Sequence, residues 1–469
     1  KREACMDLCR KTVVKLGGSV LSSRKNIAAV PKLVSLYENP VLVVSALAGV
    51  TQALTDFISG LKGPVETVSV EDFLARLRGM HLDSAGDSVR KSRLNWGLQA
   101  ELDSELAALK GLLQGLAFLG EVPDSIRARV LAFGERLSAR VLFRVLAHAG
   151  VNARVVTPEE MGLATDSCFL NATIDIARSK GTANGVLAGS FTAVVPGFYG
   201  LSGDGRVTLL SRGGSDYSAA AIAACIAAPS LDIFKDVAGY LSADPAFVAD
   251  ARSIPRLSYR EAAELSYFGA RILHPRTMEP LCGAGTPIRL FPFPAGEGME
   301  PATVIHRQSP VDDAVVKSVT FSDDFSIVEI RGDGVGLVPG LLAKVSDAIS
   351  RVGINIKSVI TAQTAINLLL ERGDGAAAAR AVDKLDIQAV EAVRIRENAG
   401  VVAVVGEGIR TRPGIAARMF TALATAGINV RMIAFGASPV AAYFVVNRED
   451  RALSVSVIHQ AFFSRAVAT

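Results

Sequence analysis

The amino-acid sequence predicts an α/β protein, with a mostly parallel sheet covered by helices on both faces and two small modules after it. Three observations support this prediction. Up to about residue 291, apolar runs typical of strands alternate with amphipathic helical patterns, as in parallel sheets whose strands are joined by crossover helices. Residues 292–315 then lose clear periodicity, as linkers do. Beyond them one pattern occurs twice, with a shift of 74 residues, which indicates a tandem repeat.

Six apolar runs predict the strands of the sheet. They are nearly continuous in apolar residues, as expected for strands buried on both faces, and they cover residues 12–16, 41–47, 152–156, 192–199, 231–237 and 287–291. The clearest helix between them spans residues 124–150. Pro123 and Asp124 suit its start, and Gly150 suits its end.

The two repeat copies share a helix start and a turn. The Pro-Gly pair at 339–340 recurs at 413–414, and the Gly-Ile-Asn turn at 353–355 recurs at 427–429. In each copy a strand, a helix, the turn and another strand follow one another. Because neither copy has a metal-ligand or nucleophile constellation, we interpret them as binding modules. A purely structural dimerisation role is the alternative.

Composition and charge fit a soluble globular protein with several domains. The chain has 469 residues, which is too long for one ordinary core and predicts about two to four domains. Lys and Arg number 50 against 46 Asp and Glu, there is one Trp, and no dense basic run occurs. Nucleic-acid binding therefore has no support.

Cysteines and apolar runs indicate the compartment. The five cysteines are scattered along the chain, as expected for reduced thiols in the cytoplasm. Only Cys5 and Cys9 have the spacing of a metal pair, and no second pair follows, so no metal site is predicted. The N-terminal residues lack the apolar core of a signal peptide, and no apolar run is long enough to span a bilayer.

The stretch SRGGSDYSA, residues 211–219, predicts an anion site. Ser215 and Asp216 stand where the N-cap and first turn of the following apolar helix are expected. Arg212 then lies at the N-terminus of a helix, where its guanidinium and the helix dipole both favour a carboxylate or phosphate. The alternative is a capping aspartate with a surface arginine, which would not explain Gly213 and Gly214.

The stretch VVKLGGSVL, residues 13–21, predicts a phosphate-binding turn. Lys15 ends a strand, and Gly17, Gly18 and Ser19 follow it. Glycines after a strand let backbone N–H groups approach a phosphate, and a lysine there supplies charge. The spacing is not that of a Walker A loop. A tight turn without a ligand is the alternative.

Polar residues lie at or after the ends of two other predicted strands. Ser45 and Thr51 come at and after the end of the strand at 41–47, while Lys235 and Asp236 lie at the end of the strand at 231–237 and Asp244 follows it. Ligands of open α/β sheets bind at the carboxyl edge of the strands. These side chains are therefore candidates for the same site.

Glu135 and His274 give weaker signals. Glu135 lies in the helix at 124–150 among largely apolar neighbours, and from the residue alone we interpret it as part of a solvated face. His274 precedes Pro275 and has no evident nucleophile partner, so a packing role is predicted.

Together these stretches resemble the aspartate kinases of the amino-acid-kinase superfamily, which have tandem C-terminal ACT domains. The resemblance covers nearly the whole chain. It rests on the stretches KLGGSV, VVSALAGVT, FGERLSA, RGGSDYSAA, KDVAGYLSADP and LSYREAAELSYFGARILHPRT, and on the paired Pro-Gly and Gly-Ile-Asn modules. RGGSDYSA and FGA-x-x-LHPRT are quite specific to aspartate kinases within the superfamily.

The resemblance implies a domain organisation. A three-layer α/β/α kinase domain is expected at 11–291, a linker at 292–315, and ferredoxin-like ACT domains at 316–395 and 396–469. The second ACT domain is expected to be inserted within the first, with the C-terminal strand returning to it. Because ACT sheets have open edges that pair side by side, a homodimer or a higher homo-oligomer is expected.

The resemblance also implies the reaction. Aspartate kinases transfer the γ-phosphoryl group of ATP, with Mg²⁺, to the side-chain carboxylate of L-aspartate, which gives 4-phospho-L-aspartate for the biosynthesis of lysine, threonine and methionine. The acceptor is already an anion at neutral pH, so no general base is needed, and catalysis rests on positioning and charge stabilisation.

The residues that match the family's motifs receive roles by this resemblance. The catalytic residues would be Lys15 and Asp216. Those that hold aspartate would be Ser45, Thr51, Glu135 (for the ammonium), Arg212 (for the α-carboxylate), Gly213, Gly214 and Ser215. Those that bind the nucleotide would be Gly17, Gly18, Ser19, Lys235, Asp236, Tyr240, Leu241, Asp244 and Arg271.

The departures from the family pattern fall on the nucleotide side. Leu241 stands where the family commonly has a tyrosine, Ala246 where it has an arginine, and Arg271 where it has a lysine. Lys235 stands where the family often has threonine, and we hypothesise that it supplies part of the missing positive charge. A related kinase that acts on another carboxylate is one alternative, although Arg212, Glu135 and Thr51 fit an α-amino acid. A catalytically weak amino-acid sensor is the other, favoured by the departures.

The ACT pair implies feedback control by an amino-acid effector. The resemblance puts the effector site at Leu337, Val338, Gly340, Leu341, Asn355, Ile356 and Gln363. Lysine-sensitive members tend to have an acidic residue near position 357, whereas this chain has Lys357. This difference argues against an ordinary lysine site, and the sequence does not identify the effector.

Overall fold

The structure is a computed structural model, and it describes residues 11–61, 67–90, 92, 94–237, 239–270, 272–294, 299–308 and 315–464. The chain forms two compact units. The first unit comprises residues 1–240, 255–259 and 272–309, and the second comprises residues 241–254, 260–271 and 310–469.

The first unit contains an eight-stranded sheet in the order β3-β4-β2-β1-β7-β9-β10-β8. All neighbouring strands are parallel except β9 and β10, which confirms the predicted α/β class. All six predicted runs form strands. The bounds are β1 Val13–Leu16, β2 Val41–Val44, β3 Ala153–Val155, β4 Thr192–Pro196, β7 Leu231–Lys235, β8 Arg256–Ser258, β9 Ile288–Pro292 and β10 Thr303–His306, with a separate hairpin of β5 Tyr199–Leu201 and β6 Val207–Leu209.

The helices of this unit follow the expected alternation. They are α1 Arg24–Val34, α2 Val50–Ser59, α3 Thr67–Ser84, α4 Gly86–Arg90, α5 Leu94–Leu119, α6 Asp124–Leu131, α7 Phe133–His148, α8 Pro158–Met161, α9 Ile176–Leu187, α10 Gly214–Cys225 and α12 Glu279–Ala284, with 3-10 helices at Val20–Ser22 and Pro275–Thr277. Throughout the part of the chain that the structure describes, no helix is both long and apolar enough to cross a bilayer.

The single helix predicted at 124–150 is two helices. α6 and α7 meet at Ala132, and α7 starts where Gly134 packs tightly against the loop after β2. A Cβ on Gly134 would lie 2.9 Å from the Cβ of Ala46. The break therefore lets the start of α7, which carries Glu135, approach the end of β2.

The start of α10 also differs from the prediction. Its N-cap is Gly213, with a left-handed φ of 70°, and no side chain caps it. Ser215 and Asp216 lie in the first turn and are buried. A glycine is required because a Cβ at position 213 would lie 2.4 Å from the Cβ of His274.

The predicted linker at 292–315 is wrong in its middle part. Thr303–His306 forms β10, which pairs with β9 and β8 inside the main sheet. The strand alternates between buried and more exposed positions, and Thr303 Oγ1 accepts a hydrogen bond from the backbone N–H of Tyr240 at 3.0 Å. The prolines on either side hid this short strand in the sequence.

The second unit contains two antiparallel sheets of four strands, in the orders β13-β14-β12-β15 and β11-β16-β18-β17. Their bounds are β11 Ser318–Ser322, β12 Phe325–Arg331, β13 Ser358–Ala362, β14 Ala365–Glu371, β15 Ala392–Arg396, β16 Gly400–Val405, β17 Met432–Phe435 and β18 Ala441–Val446. The helices are α11 Tyr259–Tyr267, α13 Leu341–Arg351, α14 Gly375–Asp383, α15 Ile415–Thr425 and α16 Arg451–Phe463, with 3-10 turns at Arg372–Asp374 and Arg448–Asp450.

The two repeat copies fold alike. α13 begins after Gly340 and α15 after Gly414, and both glycines are left-handed N-caps with φ of 76° and 87°. Gly353 and Gly427, which follow these helices, are also left-handed, with φ of 73° and 71°. The repeated glycines thus mark the same two bends in each copy, as the sequence pattern predicted.

The predicted direction of insertion is wrong. The first copy is contiguous from β12 to β15, whereas the second sheet takes β11 from before the first copy and pairs it with β16. The first copy is therefore inserted into the second. The physical reason is packing, because Val319 of β11 belongs to the same apolar core as Val402 and Phe444.

Two segments of the range expected for the kinase domain belong to the second unit. Residues 241–254 contribute Ser242, whose hydroxyl lies 2.9 Å from His459 Nε2. Residues 260–271 contribute Glu261, which is fully buried and pairs with Lys317 at 3.0 Å. A buried ion pair needs both partners in place, so these segments are integral parts of that unit.

Candidate active site

The candidate site lies at the carboxyl edge of the main sheet. β1 pairs in parallel with β2 and β7, so that Leu16 lies opposite both Val44 and Phe234. From β1, the strand order continues through β2 towards one edge of the sheet and through β7 towards the other. Ligands of open α/β sheets bind in the crevice at such a switch of strand order. Gly17 and Ser45 follow the ends of β1 and β2, and Lys235 is the last residue of β7.

The glycines after β1 keep a space open beside a lysine. A Cβ on Gly17 would lie 3.4 Å from Lys15 Nζ and 3.9 Å from Ser19 Oγ, and a Cβ on Gly18 would lie 3.4 Å from the carbonyl oxygen of Ala46. Without these Cβ atoms, an anion can approach both the backbone and the ammonium group. The arrangement fits a phosphate group.

Asp216 joins two lysines at this edge. Lys15 Nζ contacts Asp216 Oδ1, and both side chains are almost fully buried. Lys235 Nζ donates to Asp216 Oδ2 at 3.1 Å and also to the carbonyl oxygen of Ile272. The sequence suggested Lys235 only as a nucleotide contact, because nothing in it shows that positions 216 and 235 meet.

Burial and charge act against each other in this cluster. Burial lowers the pKa of Lys15, Lys235 lowers it further, and Asp216 opposes both effects. Burial by itself would raise the pKa of Asp216, but Lys15 and Lys235 outweigh it, so the pKa lies below its ordinary value. Asp216 therefore stays ionised and holds two cations that would otherwise repel each other.

Glu135 is buried, so its interpretation as part of a solvated face is wrong. The side chain faces Ser215, whose hydroxyl donates to Oε1 at 3.3 Å. Among the described residues, Oε2 has no hydrogen-bond partner. Burial raises the pKa of Glu135 to about 8, and hydrogen bonds and Lys15 offset this only in part. A buried carboxyl with an open oxygen suits a cationic group of a ligand.

The structure relates Ser45 and Thr51 to the start of α7, which carries Glu135, but gives no contact between Arg212 and this carboxyl group. Ser45 is partly buried, and its carbonyl oxygen accepts a hydrogen bond from Ser138 Oγ at 2.7 Å. Thr51 Oγ1 would lie 3.7 Å from a Cβ on Gly134, the neighbour of Glu135. Arg212 is exposed in the turn before α10. Ser138 was missed by sequence reasoning, although it stands in the matched stretch FGERLSA.

The predicted nucleotide residues after β7 belong to both compact units. Asp236 is exposed after β7, and Tyr240 is buried in the first unit. Leu241 and Asp244 belong to the second unit, where Leu241 accepts a hydrogen bond from Ser318 and Asp244 one from the backbone N–H of Ala246. Arg271 lies outside the described residues. The nucleotide roles of these residues stay predictions.

The predicted effector residues lie at two ends of β13. Gly336 N–H donates to the carbonyl oxygen of Gln363 at 2.9 Å, which brings the exposed Leu337 and Val338 to the turn after β13. Gly340 begins α13, and the side chain of Leu341 lies in the apolar core. Asn355 and Ile356 precede the opposite end of β13. The effector roles of these residues stay predictions.

Lys357 already has internal partners. Its Nζ lies 3.2 Å from Glu371 Oε1 and about equally far, 5.1 Å and 5.0 Å, from the ring centroids of Tyr267 and Phe325. Two aromatic faces and a carboxylate stabilise an ammonium group.

Comparisons with known proteins agree with this architecture. A family model described as the amino acid kinase family matches residues 10–292, and one described as an ACT domain matches residues 402–462. Aspartokinase 3, chloroplastic, of Arabidopsis thaliana is 30% identical over 467 residues, which cover 96% of this chain and 81% of that protein.

Two further proteins are similar along nearly the whole chain. The bifunctional aspartokinase/homoserine dehydrogenase of Haemophilus influenzae is 30% identical over 468 residues, and this chain spans 56% of its length. The crystal structure of Escherichia coli aspartokinase III in complex with aspartate and ADP has a TM-score of 0.81 at 24% identity, over 97% of this chain and 100% of that one. At this identity the structure shows the shared fold. The chain therefore belongs to the amino acid kinase family, in the group of aspartokinases whose kinase domain is followed by ACT domains.

Proposed function

We propose that the protein is an aspartate kinase, which transfers the γ-phosphoryl group of MgATP to the side-chain carboxylate of L-aspartate to give 4-phospho-L-aspartate. The observation that carries this proposal is the carboxylate of Asp216, which holds the ammonium groups of Lys15 and Lys235 at the carboxyl edge of the sheet. The names of the relatives support it. The product belongs to the first step of aspartate-family amino-acid biosynthesis.

The phosphoryl group is proposed to react beside Lys15. The phosphates of ATP would lie against the turn at Gly17 and Gly18, where a Cβ on Gly17 would come within 3.4 Å of Lys15 Nζ. Lys15 would neutralise charge on the transferring group, and Asp216 would keep Lys15 charged and in place. The acceptor carboxylate needs no deprotonation, so positioning and charge stabilisation suffice.

Aspartate is proposed to bind through its amino-acid end. The open oxygen of Glu135 would accept the ammonium group, and Arg212 would pair with the α-carboxylate as a planar, bidentate donor. Ser45 and Thr51 lie at the same edge. The side-chain carboxylate would then point towards Lys15.

Mg²⁺ is proposed to arrive with ATP. Among the described residues, no three or more acidic, His or Cys side chains are grouped as a metal site, and the Asp216 carboxylate already has two lysine partners. Mg²⁺ is commonly held by one or two carboxylates and by substrate phosphates, where it neutralises charge on the transferring group.

The second unit, which contains the ACT domain match, is proposed to bind an amino-acid effector and to form a homodimer. β13 and β17 are edge strands of their sheets, and they expose Val359, Ile433 and Phe435. Open edges with apolar side chains favour pairing with a second chain. The internal partners of Lys357 disfavour an effector site for lysine there.

The proposed activity is tested by trapping the acyl phosphate with hydroxylamine. Purified protein is incubated with L-aspartate and MgATP, with or without lysine or threonine. We expect aspartyl hydroxamate that depends on both substrates, and inhibition by one amino acid would identify the effector. Binding of ATP without any hydroxamate would contradict the proposed activity and favour an amino-acid sensor.

A further inference from the structure

Residues 272–276, a segment of the stretch ARILHPRT, contact three parts of the proposed site. The carbonyl oxygen of Ile272 accepts a hydrogen bond from Lys235 Nζ. His274 packs against Gly213, where a Cβ would lie 2.4 Å from the His274 Cβ. Arg276 lies over the ring of Tyr217. None of these contacts was evident from the sequence, which suggested only a packing role for His274.

Arg276 contacts two elements of the first unit. Its Nη1 donates to Asn171 Oδ1 at 2.7 Å, and its Nη2 donates to the carbonyl oxygen of Ala172 at 3.0 Å and to Thr173 Oγ1 at 3.2 Å. Its guanidinium carbon lies 4.6 Å from the centroid of the Tyr217 ring. The side chain is 18% exposed. A single planar group thus connects the loop at 171–173 to α10, which a lysine could not do with the same geometry.

Tyr217 lies between the Arg276 contact and Asp216 in the fold. It follows Asp216 in the first turn of α10, its ring is buried, and its hydroxyl accepts a hydrogen bond from the backbone N–H of Ile174 at 3.2 Å. The ring is therefore fixed by Arg276 on its face and by Ile174 at its hydroxyl. Because Asp216 lies on the same helical turn, a shift of Tyr217 would move the carboxylate that holds Lys15 and Lys235.

We propose that Arg276 is a positioning residue for phosphoryl transfer, which acts through Tyr217 on Asp216. This inference rests on the proposed kinase function. Misplacement of reacting groups by about 1 Å costs up to roughly a hundredfold in rate. Of the residues proposed to bind aspartate, Glu135 and Ser45 lie outside α10, on α7 and after β2, whereas Ser215 lies on the turn of Asp216 and donates to Glu135. Loss of the Arg276 contacts is therefore expected to raise the KM for aspartate slightly, through Ser215, and to lower kcat more strongly, through Asp216.

The test compares Arg276→Met with a matched control, Arg144→Met. Arg144 is 19% exposed, pairs with Glu101 at 2.5 Å and lies 5.1 Å from the centroid of the Phe143 ring, but it contacts no residue of the proposed site among those described. We expect Arg276→Met to lower kcat by about tenfold or more, with the KM for aspartate changed by less than about threefold. Arg144→Met should lower Tm to a similar degree and leave kcat within about twofold of the wild type.

Equal losses of Tm in the two variants, with kcat per folded molecule unchanged in both, would show that Arg276 is only structural. If Arg276→Met does not fold, Tyr217→Leu removes the same stack from the other side, and a wild-type kcat in that variant would equally overturn the proposal. A wild-type protein that forms no aspartyl hydroxamate contradicts both proposals. An active wild type with an unaffected Arg276→Met contradicts the role of Arg276 alone.

Discussion

At the scale of single residues, Asp216 and Glu135 are both buried carboxyl groups, yet their surroundings shift the pKa in opposite directions. Two lysines keep Asp216 ionised. Glu135 has a hydroxyl partner and one open oxygen, and burial raises its pKa to about 8. The first group is thus ready as an anion before any ligand binds, while the second becomes ionised when a cation arrives.

The raised pKa of Glu135 predicts that aspartate binding depends on pH. At neutral pH the free carboxyl group is largely protonated, and the substrate ammonium favours its ionised form. The KM for aspartate should therefore fall as the pH rises from about 6 to about 8, by up to roughly tenfold per pH unit. In Glu135→Gln the KM should be high at all of these pH values. A KM for aspartate that is independent of pH in the wild type would contradict the role of Glu135.

The raised pKa of Glu135 also predicts how the stability of the protein depends on pH, which can be measured without substrate. A folded-state pKa of about 8 lies above the ordinary value of 4.5, so the stability that the protonated carboxyl allows is present below pH 4.5 and is lost as the pH rises towards 8. Glu135→Gln should thus gain in Tm relative to the wild type over this range. Glu71→Gln, at a surface position paired with Lys110, should show no such gain.

The position of Lys235 predicts that its replacement weakens the binding of ATP. Lys235 contacts Asp216 Oδ2, whereas Lys15 contacts Oδ1, and it is the more exposed of the two lysines. We therefore expect it to be the one that meets the phosphates of ATP. Lys235→Thr should raise the KM for ATP by several-fold and leave the KM for aspartate nearly unchanged. Steady-state kinetics with each substrate varied in turn would measure this. An unchanged KM for ATP would show that Lys235 does not supply the missing charge.

At the scale of elements, the geometry of the turn after β1 predicts that a methyl group added at Gly17 lowers activity. Gly17→Ala should fold normally, because its Cβ meets no backbone clash and the position has no left-handed φ. The same Cβ would occupy the space beside Lys15 Nζ that the phosphates need. We expect kcat/KM for ATP to fall by about tenfold or more.

The matched control for this turn is Gly185→Ala in α9. A Cβ there meets nothing within 4 Å and needs no unusual backbone, so activity should be unchanged and the free energy of unfolding should rise slightly. If Gly17→Ala also keeps full activity, the turn after β1 does not bind phosphate.

The elements also show what the sequence could predict. All six predicted strands exist, because apolar runs of this short length, bounded by turn residues, favour a strand over a helix. β10 and the break at Ala132 were missed because pairing with β9 and contact with Ala46 decided them. Lys15, Gly17 and Glu135 were found only as isolated motifs or by resemblance. Contacts such as Lys235 with Asp216 depend on how the chain packs, and no local pattern reveals them.

At the scale of the whole molecule, the open sheet edges of the second unit predict an oligomer. The double variant Val359→Lys with Ile433→Lys adds a charge to both edge strands and should shift the protein towards the monomer, because charge at an edge blocks strand pairing. Sedimentation velocity would measure the change in mass. Leu453→Lys is the control, since Leu453 is 49% exposed, as Ile433 is, but lies on α16. A monomeric wild type would contradict the prediction.

The pairing of β11 with β16, which makes the first copy an insertion in the second, has a consequence for the evolution of the chain. The chain enters the inserted copy at β12 and leaves it after β15, and these two strands are neighbours, with Ile327 opposite Arg396. A segment whose ends are adjacent can be removed and the gap closed by a short connection. β11 would still pair with β16 afterwards. Ile327 and Leu369 of the inserted copy share an apolar core with Val401 and Tyr443 of the host sheet. We therefore expect that a copy exchanged at these adjacent ends must bring a matching apolar face to keep the host sheet covered.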